Sequence, residues 1–168
     1  STDNLDIVPA EVLKEFPQVW SYTRFQENLY ALTRVRYLGL THDRRPGNFL
    51  AHSLVFAPEA LQDQSYNPLT AARSGVFNNL PAKGETRLAE LSSWGLSQAS
   101  AANQAGLLDE SPYREHLPGM ISALSVASPQ GKPVLIRLAD WQQALPMLEA
   151  LLNLLPPSFR CRTTVCTY

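Results

Sequence analysis

Charge is what this chain is short of. Asp, Glu, Lys and Arg supply 17% of its 168 residues, against about 25% in a typical soluble domain. A free-standing domain keeps more charge than this on its surface. Either a partner chain or neighbouring domains cover part of the surface, or Ser, Gln, Asn and Thr replace the missing polarity. Basic excess is also lacking, with a net charge of −1 and a pI near 6.3. That argues against a non-specific nucleic-acid binder, which carries a surplus of Lys and Arg. "YTRFQENLYALTRVRY" does interleave rings with basic residues, as a single-strand binder does, but the near-neutral balance weighs against it.

Cysteine is scarce as well. Cys161 and Cys166 fall in a run that reads as one strand, where their spacing turns them to opposite faces. They are not expected to pair, which fits a reducing, cytoplasmic compartment. The three histidines, His42, His52 and His116, show no metal-ligand spacing. No apolar run approaches the roughly 20 residues of a membrane span, and the polar, acidic "STDNLDIVP" is no signal peptide. There is neither a Gly-x-Ser-x-Gly elbow nor a nucleotide P-loop. Asp109, Glu110 and Glu115 sit in polar, loop-like sequence and read as solvated surface. No catalytic residue, cofactor or metal is therefore expected.

What is present is a core. Apolar residues reach 45%, enough for a single domain over residues 1–168. "RCRTTVCTY" stops inside a strand-like run, which reads as a fragment of a longer multidomain protein. A short helix is expected from Pro9 to Phe16, stopped by Pro17. Leu29–Leu40 alternates and is rich in β-formers, so it reads as a strand. Ala31, Thr33, Val35 and Tyr37 lie on one face of it, and Leu32, Arg34, Arg36 and Leu38 on the other. "FLAHSLVFA", Phe49 to Ala57, is apolar or small on both faces, the pattern of a central, doubly covered strand. It pairs antiparallel with the first strand. A helical turn follows at Pro58, and residues 65–114 read as an irregular excursion with one short helix near Thr86–Ser93.

The last third predicts a helix from Leu117 to Ala127 and a strand at "KPVLIRLA". A helix then follows, N-capped by Asp140, with Trp141, Leu145, Leu148, Leu151, Leu152 and Leu155 on its core face. At Pro146 this helix either kinks or begins anew. "FRCRTTVCTY" is the closing strand. Strand, helix, strand makes a βαβ unit with a right-handed crossover. The fold class is α+β or mixed α/β: a mixed sheet with an antiparallel pair, a C-terminal βαβ unit and flanking helices.

"HDRRPGNFLAHSLVF", His42 to Phe56, is the candidate site. Arg34 and Arg36 share a strand face, and Arg44 and Arg45 follow in the loop. Guanidinium groups that converge can grip a phosphate or carboxylate in bidentate fashion, and Pro46-Gly47 permits a tight turn. The plainer reading pairs Asp43 with one arginine and treats Pro-Gly-Asn as a turn. His52, on an apolar face, reads as a core histidine, or else as a general base or a polar anchor beneath the arginines.

The same stretch resembles the N-terminal domain of bacterial GTPase-associated proteins. Tyr37-Leu38-Gly39, Asp43, Arg45-Pro46-Gly47-Asn48, Phe49 and Ala51-His52 follow that family's pattern. "ALLNLLPPSFRCRTTVCTY" is similar to its leucine-proline helix end and closing strand. Arg44 departs from the pattern where glycine is usual, and Cys166 where a small residue or Ser is common. The resemblance implies a large, cytoplasmic, multidomain bacterial protein. Such a protein works with a small GTPase-like partner in multi-component signalling or defence systems. It carries over no catalytic residues. The expected role is a non-catalytic protein-interaction or scaffold domain, with Arg34, Arg36, Asp43, Arg44, Arg45, Asn48 and His52 as candidate contacts. The alternative is an enzyme or binding module for a phosphorylated or anionic ligand, with His52 as base and the arginines as clamp.

Overall fold

The computed structural model describes residues 16–40, 43, 46–77, 90, 114–130 and 134–167. Its frame is a four-stranded sheet of β1 (Val19–Gln26), β2 (Leu29–Leu40), β3 (Pro46–Phe56) and β4 (Val165–Cys166), in the order β3-β2-β1-β4. Every pairing is antiparallel. Mixed α+β is therefore the class, with helices gathered on one face.

β1 precedes the first strand expected from the sequence. Its residues VWSYTRFQ alternate, with Trp20 and Tyr22 buried toward the helices. Glu27-Asn28 turns it into β2, and Arg24 caps that turn by donating from Nε and Nη2 to the Glu27 carbonyl at 3.2 and 2.7 Å. The β2–β3 pair is the expected antiparallel one. β3, however, is an edge strand and is covered on one face only. Phe49 and Val55 stand 60% and 48% exposed on the open face. A short apolar run reads the same whether it is covered on one side or two, because Ala51 and Ser53 carry no charge to mark the wet face.

The core lies between the sheet and α2 (Ala144–Leu154). Trp20, Tyr22, Leu32, Leu54 and Phe56 meet Leu152 and Leu155, with Leu61, Leu69 and Phe77 closing the side. Tyr22 is fully buried and stacks between Tyr30 and Phe56. Its hydroxyl donates to the Cys161 carbonyl at 2.8 Å, and burial, helped by Cys161 and Tyr30, pushes its pKa far up. A second cluster joins Met147, Ala150 and Leu151 to Leu117, Met120 and Leu124 of α1 (Leu117–Gln130).

The start of the expected excursion is ordered. Two 3-10 helices, Pro58–Gln64 and Pro68–Arg73, carry the fully buried Leu61, Leu69 and Ala71. Asn67 caps the second: its Oδ1 accepts from Leu69 N–H at 3.0 Å. Its Nδ2 donates to the Glu149 carbonyl and to Asn153 Oδ1 at 2.9 and 2.7 Å. Arg73 pairs with the buried Glu149 carboxylate. Arg160 donates to the carbonyls of Ser65, Asn153 and Leu155. Ser65 and Tyr66 both hold positive φ, 53° and 60°, a costly conformation for non-glycine residues that surrounding bonds must enforce. The helices expected at Pro9–Phe16 and Thr86–Ser93 lie almost wholly outside the described residues.

The C-terminal third differs in detail from the expected βαβ unit. Asp140 does act as a cap, accepting from Gln142 N–H at 2.9 Å, but of a 3-10 turn over Trp141–Gln143. α2 then begins at Ala144 with Pro146 in its first turn, where a missing N–H costs nothing. The start of the expected closing strand, Phe159 and Arg160, instead belongs to a helical turn, α3 (Pro157–Arg160), and of its described residues only Val165–Cys166 is strand. Cys161 thus sits in a turn, and both cysteines are free thiols. Val134–Leu138 carries no strand assignment, and β4 pairs with β1. The parallel ladder of the βαβ unit is not among the pairings of the described residues.

Candidate functional site

Register builds the site. Trp20 of β1, Arg34 of β2 and His52 of β3 are direct cross-strand partners, so their side chains share one face. Arg36 follows opposite Leu50, and Gly39 opposite Asn48. Gly39 holds φ 102° at a register break, which only glycine adopts without strain. The bulge bends β2 just before the loop that contains Asp43. Asp43 is exposed and Asn48 half-buried. His42, Arg44 and Arg45 lie outside the described residues, so the expected convergence of four arginines is described for Arg34 and Arg36 alone.

Arg34 is held inside the fold. Its guanidinium carbon lies 5.3 Å from the centre of the Phe77 ring and 5.9 Å from that of Trp20. Nη2 donates to the Phe77 carbonyl at 3.1 Å. Trp20 and Phe77 meet edge to face at 4.9 Å, and His52 meets Phe77 in the same manner at 5.3 Å. Four side chains thus form one box: a cation against two aromatic faces, with an imidazole on its far wall. Phe77 comes from the stretch expected to be irregular, and Trp20 from β1, ahead of the first expected strand. Alternation through Val19–Gln26 is the signal for Trp20. Nothing local in "SGVFNN" marks Phe77 as the ring that receives an arginine.

The box is electrostatically positive. Burial lowers the Arg34 pKa, and the Arg36 guanidinium lowers it further. Burial also lowers the His52 pKa, with Arg34 adding to the effect. Both effects disfavour the charged imidazole, so the charge of the face rests on the arginines. Among the described residues, no group of His, Cys, Asp and Glu is arranged to hold a metal ion. No described helix is long and apolar enough to cross a membrane.

Residues 2–94 match the family model described as GTPase-associated protein 1, N-terminal domain type 2. The chain belongs to this family. The matched range includes β1, β2, β3, the arginine loop and the Trp20–Arg34–His52–Phe77 box, so this GTPase-associated domain carries the box within its family-defining part. The C-terminal run "ALLNLLPPSFRCRTTVCTY" lies beyond it. No curated protein and no solved structure matches the chain.

Proposed function

We propose that this GTPase-associated domain is a non-catalytic interaction and scaffold module of a cytoplasmic bacterial multi-component system. Its partner is a small GTPase-like protein. Membership of the family carries the reading, because that description itself names a GTPase-associated protein. The contact surface is the β2–β3 end of the sheet: Arg36, then Asp43, Arg44, Arg45 and Asn48, with Arg34 and His52 behind them as support. The lowering of the Arg34 pKa by Arg36, and of the His52 pKa by Arg34, supports an acidic complement on the partner, since a carboxylate there relieves like-charge repulsion. Arg34 braces the patch from within its aromatic box, and Arg36 and the loop make the contact.

The reading predicts that small GTPases encoded beside this chain bind it directly. Arg36→Glu and Arg45→Glu should each weaken that binding at least tenfold, because each puts a negative charge where an acidic partner docks. Failure of every neighbouring GTPase to bind would remove the GTPase reading. Binding that both variants leave intact would remove the surface. The anionic-ligand alternative requires His52 to exchange protons with a substrate. Hydrolysis of a generic phosphomonoester by the wild-type chain, abolished by His52→Ala, would favour that alternative.

A further inference from the structure

The edge of the sheet opposite β3 is built to receive a strand. Thr167 N–H donates to the Trp20 carbonyl at 2.8 Å, and Val165 pairs with Tyr22. Because bonding direction alternates along a strand, Thr164 and Cys166 turn their N–H and C=O groups to the outer edge of β4. A cavity of about 670 Å³ lies there. Thr163–Thr167 form one wall and Val134–Ala139 another, with Trp141, Met147 and Leu148 also lining it.

Val134–Leu138 has the properties of a missing strand. Val134, Ile136 and Leu138 are half-buried, whereas Leu135 and Arg137 are exposed, Leu135 at 85%. Ile136 and Leu138 already pack on the cluster of Met147, Ala150 and Leu151. The apolar face is thus seated on the helical layer in the period of a strand, and only the ladder is lacking. α2 runs between this segment and β4, as a right-handed crossover to a parallel neighbour requires.

We propose that Val134–Leu138 closes onto the outer edge of β4 as a fifth, parallel strand, and that the cavity is the space this strap leaves when open. Closure pairs the outward groups of Thr164 and Cys166 and brings Leu135 beside Thr164. The faces narrow the register. In a parallel ladder a residue bonds to the two that flank its opposite number. Cys166 faces away from the core, as do Leu135 and Arg137, and the proposed register sets Arg137 opposite Cys166. The bonding amides of the strap are then those of Ile136, to the Thr164 carbonyl, and Leu138, to the Cys166 carbonyl. This device is separate from the proposed contact residues Arg34 and Arg36, which lie on β2, with β1 between them and β4.

Amide hydrogen exchange followed by NMR on the whole chain tests it. Ile136 and Leu138 should exchange at least 100-fold slower than unstructured amides, while Leu135 and Arg137 exchange freely. Cys166→Pro deletes an N–H that points away from β1 and sets a ring in the strap's path. It should abolish that protection and leave the Tyr22 amide protected. Unprotected Ile136 and Leu138 in the wild type would overturn the proposal, as would protection that survives Cys166→Pro. If Cys166→Pro unfolds, seen as loss of protection at Tyr22, Ile136→Pro tests closure from the strap side. Loss at Leu138 with Tyr22 retained supports closure, and retention at Leu138 overturns it.

Discussion

Arg34 does two things with one side chain: it fills the space between Trp20 and Phe77, and it sets the charge beside His52. Replacing it with Ala removes a partly desolvated cation–aromatic contact and the bond to the Phe77 carbonyl. The expected cost is about 2 kcal/mol of stability, read as a lower urea midpoint at unchanged slope. His52 carries a pH signature. Its folded pKa lies below the ordinary 6.5, so the unfolded chain binds the proton more readily. Stability from this group is full above 6.5 and is lost as pH falls toward the folded value. Unfolding free energies measured between about pH 7 and pH 5 should therefore decline with acid in the wild type. His52→Gln should flatten this part of the decline. A histidine on an apolar face was legible from spacing, but its neighbours were not. Arg34 and His52 sit 18 positions apart, and only the cross-strand register makes them partners.

Among the elements, the hairpin β2–β3 was legible because alternation and β-forming residues agree over Leu29–Leu40; Pro46-Gly47-Asn48, read from the sequence as the turn, instead belong to β3, with Pro46 opposite Leu40 and Asn48 opposite Gly39. The edge position of β3 was not legible, since exposure depends on which strands lie beside it. The ordered segment 58–77 was hidden for a related reason. Its 3-10 turns have no long period, and its order comes from contacts more than 80 positions away, Asn67 to Glu149 and Asn153. Asn67 is fully buried. Asn67→Ala removes a helix cap and strands the N–H of Leu69, at an expected cost of about 2 to 3 kcal/mol. Thermal unfolding of the variant reads this directly. Exchange at the Leu69 amide should rise with it, locating the damage in this connection. Of the expected βαβ unit, the described residues contain the helix and the short strand β4, which pairs antiparallel with β1; its parallel pairing is not among them.

For the molecule as a whole, low charge and family membership point the same way. The sheet leaves Phe49 and Val55 exposed on its open face, and Arg34 and Arg36 share the other face of β2. The chain has 17% charged residues and sets Arg34 and Arg36 on one strand face; under the proposed function that face meets an acidic surface on a small GTPase. Titration calorimetry of the chain against the GTPase encoded beside it measures this most directly, with the wild type and Arg36→Glu compared at one salt concentration. The predicted result is saturable one-to-one binding, weakened at least tenfold by the variant while its circular dichroism stays unchanged. Equal affinity for the two proteins, or no binding by either, would contradict it.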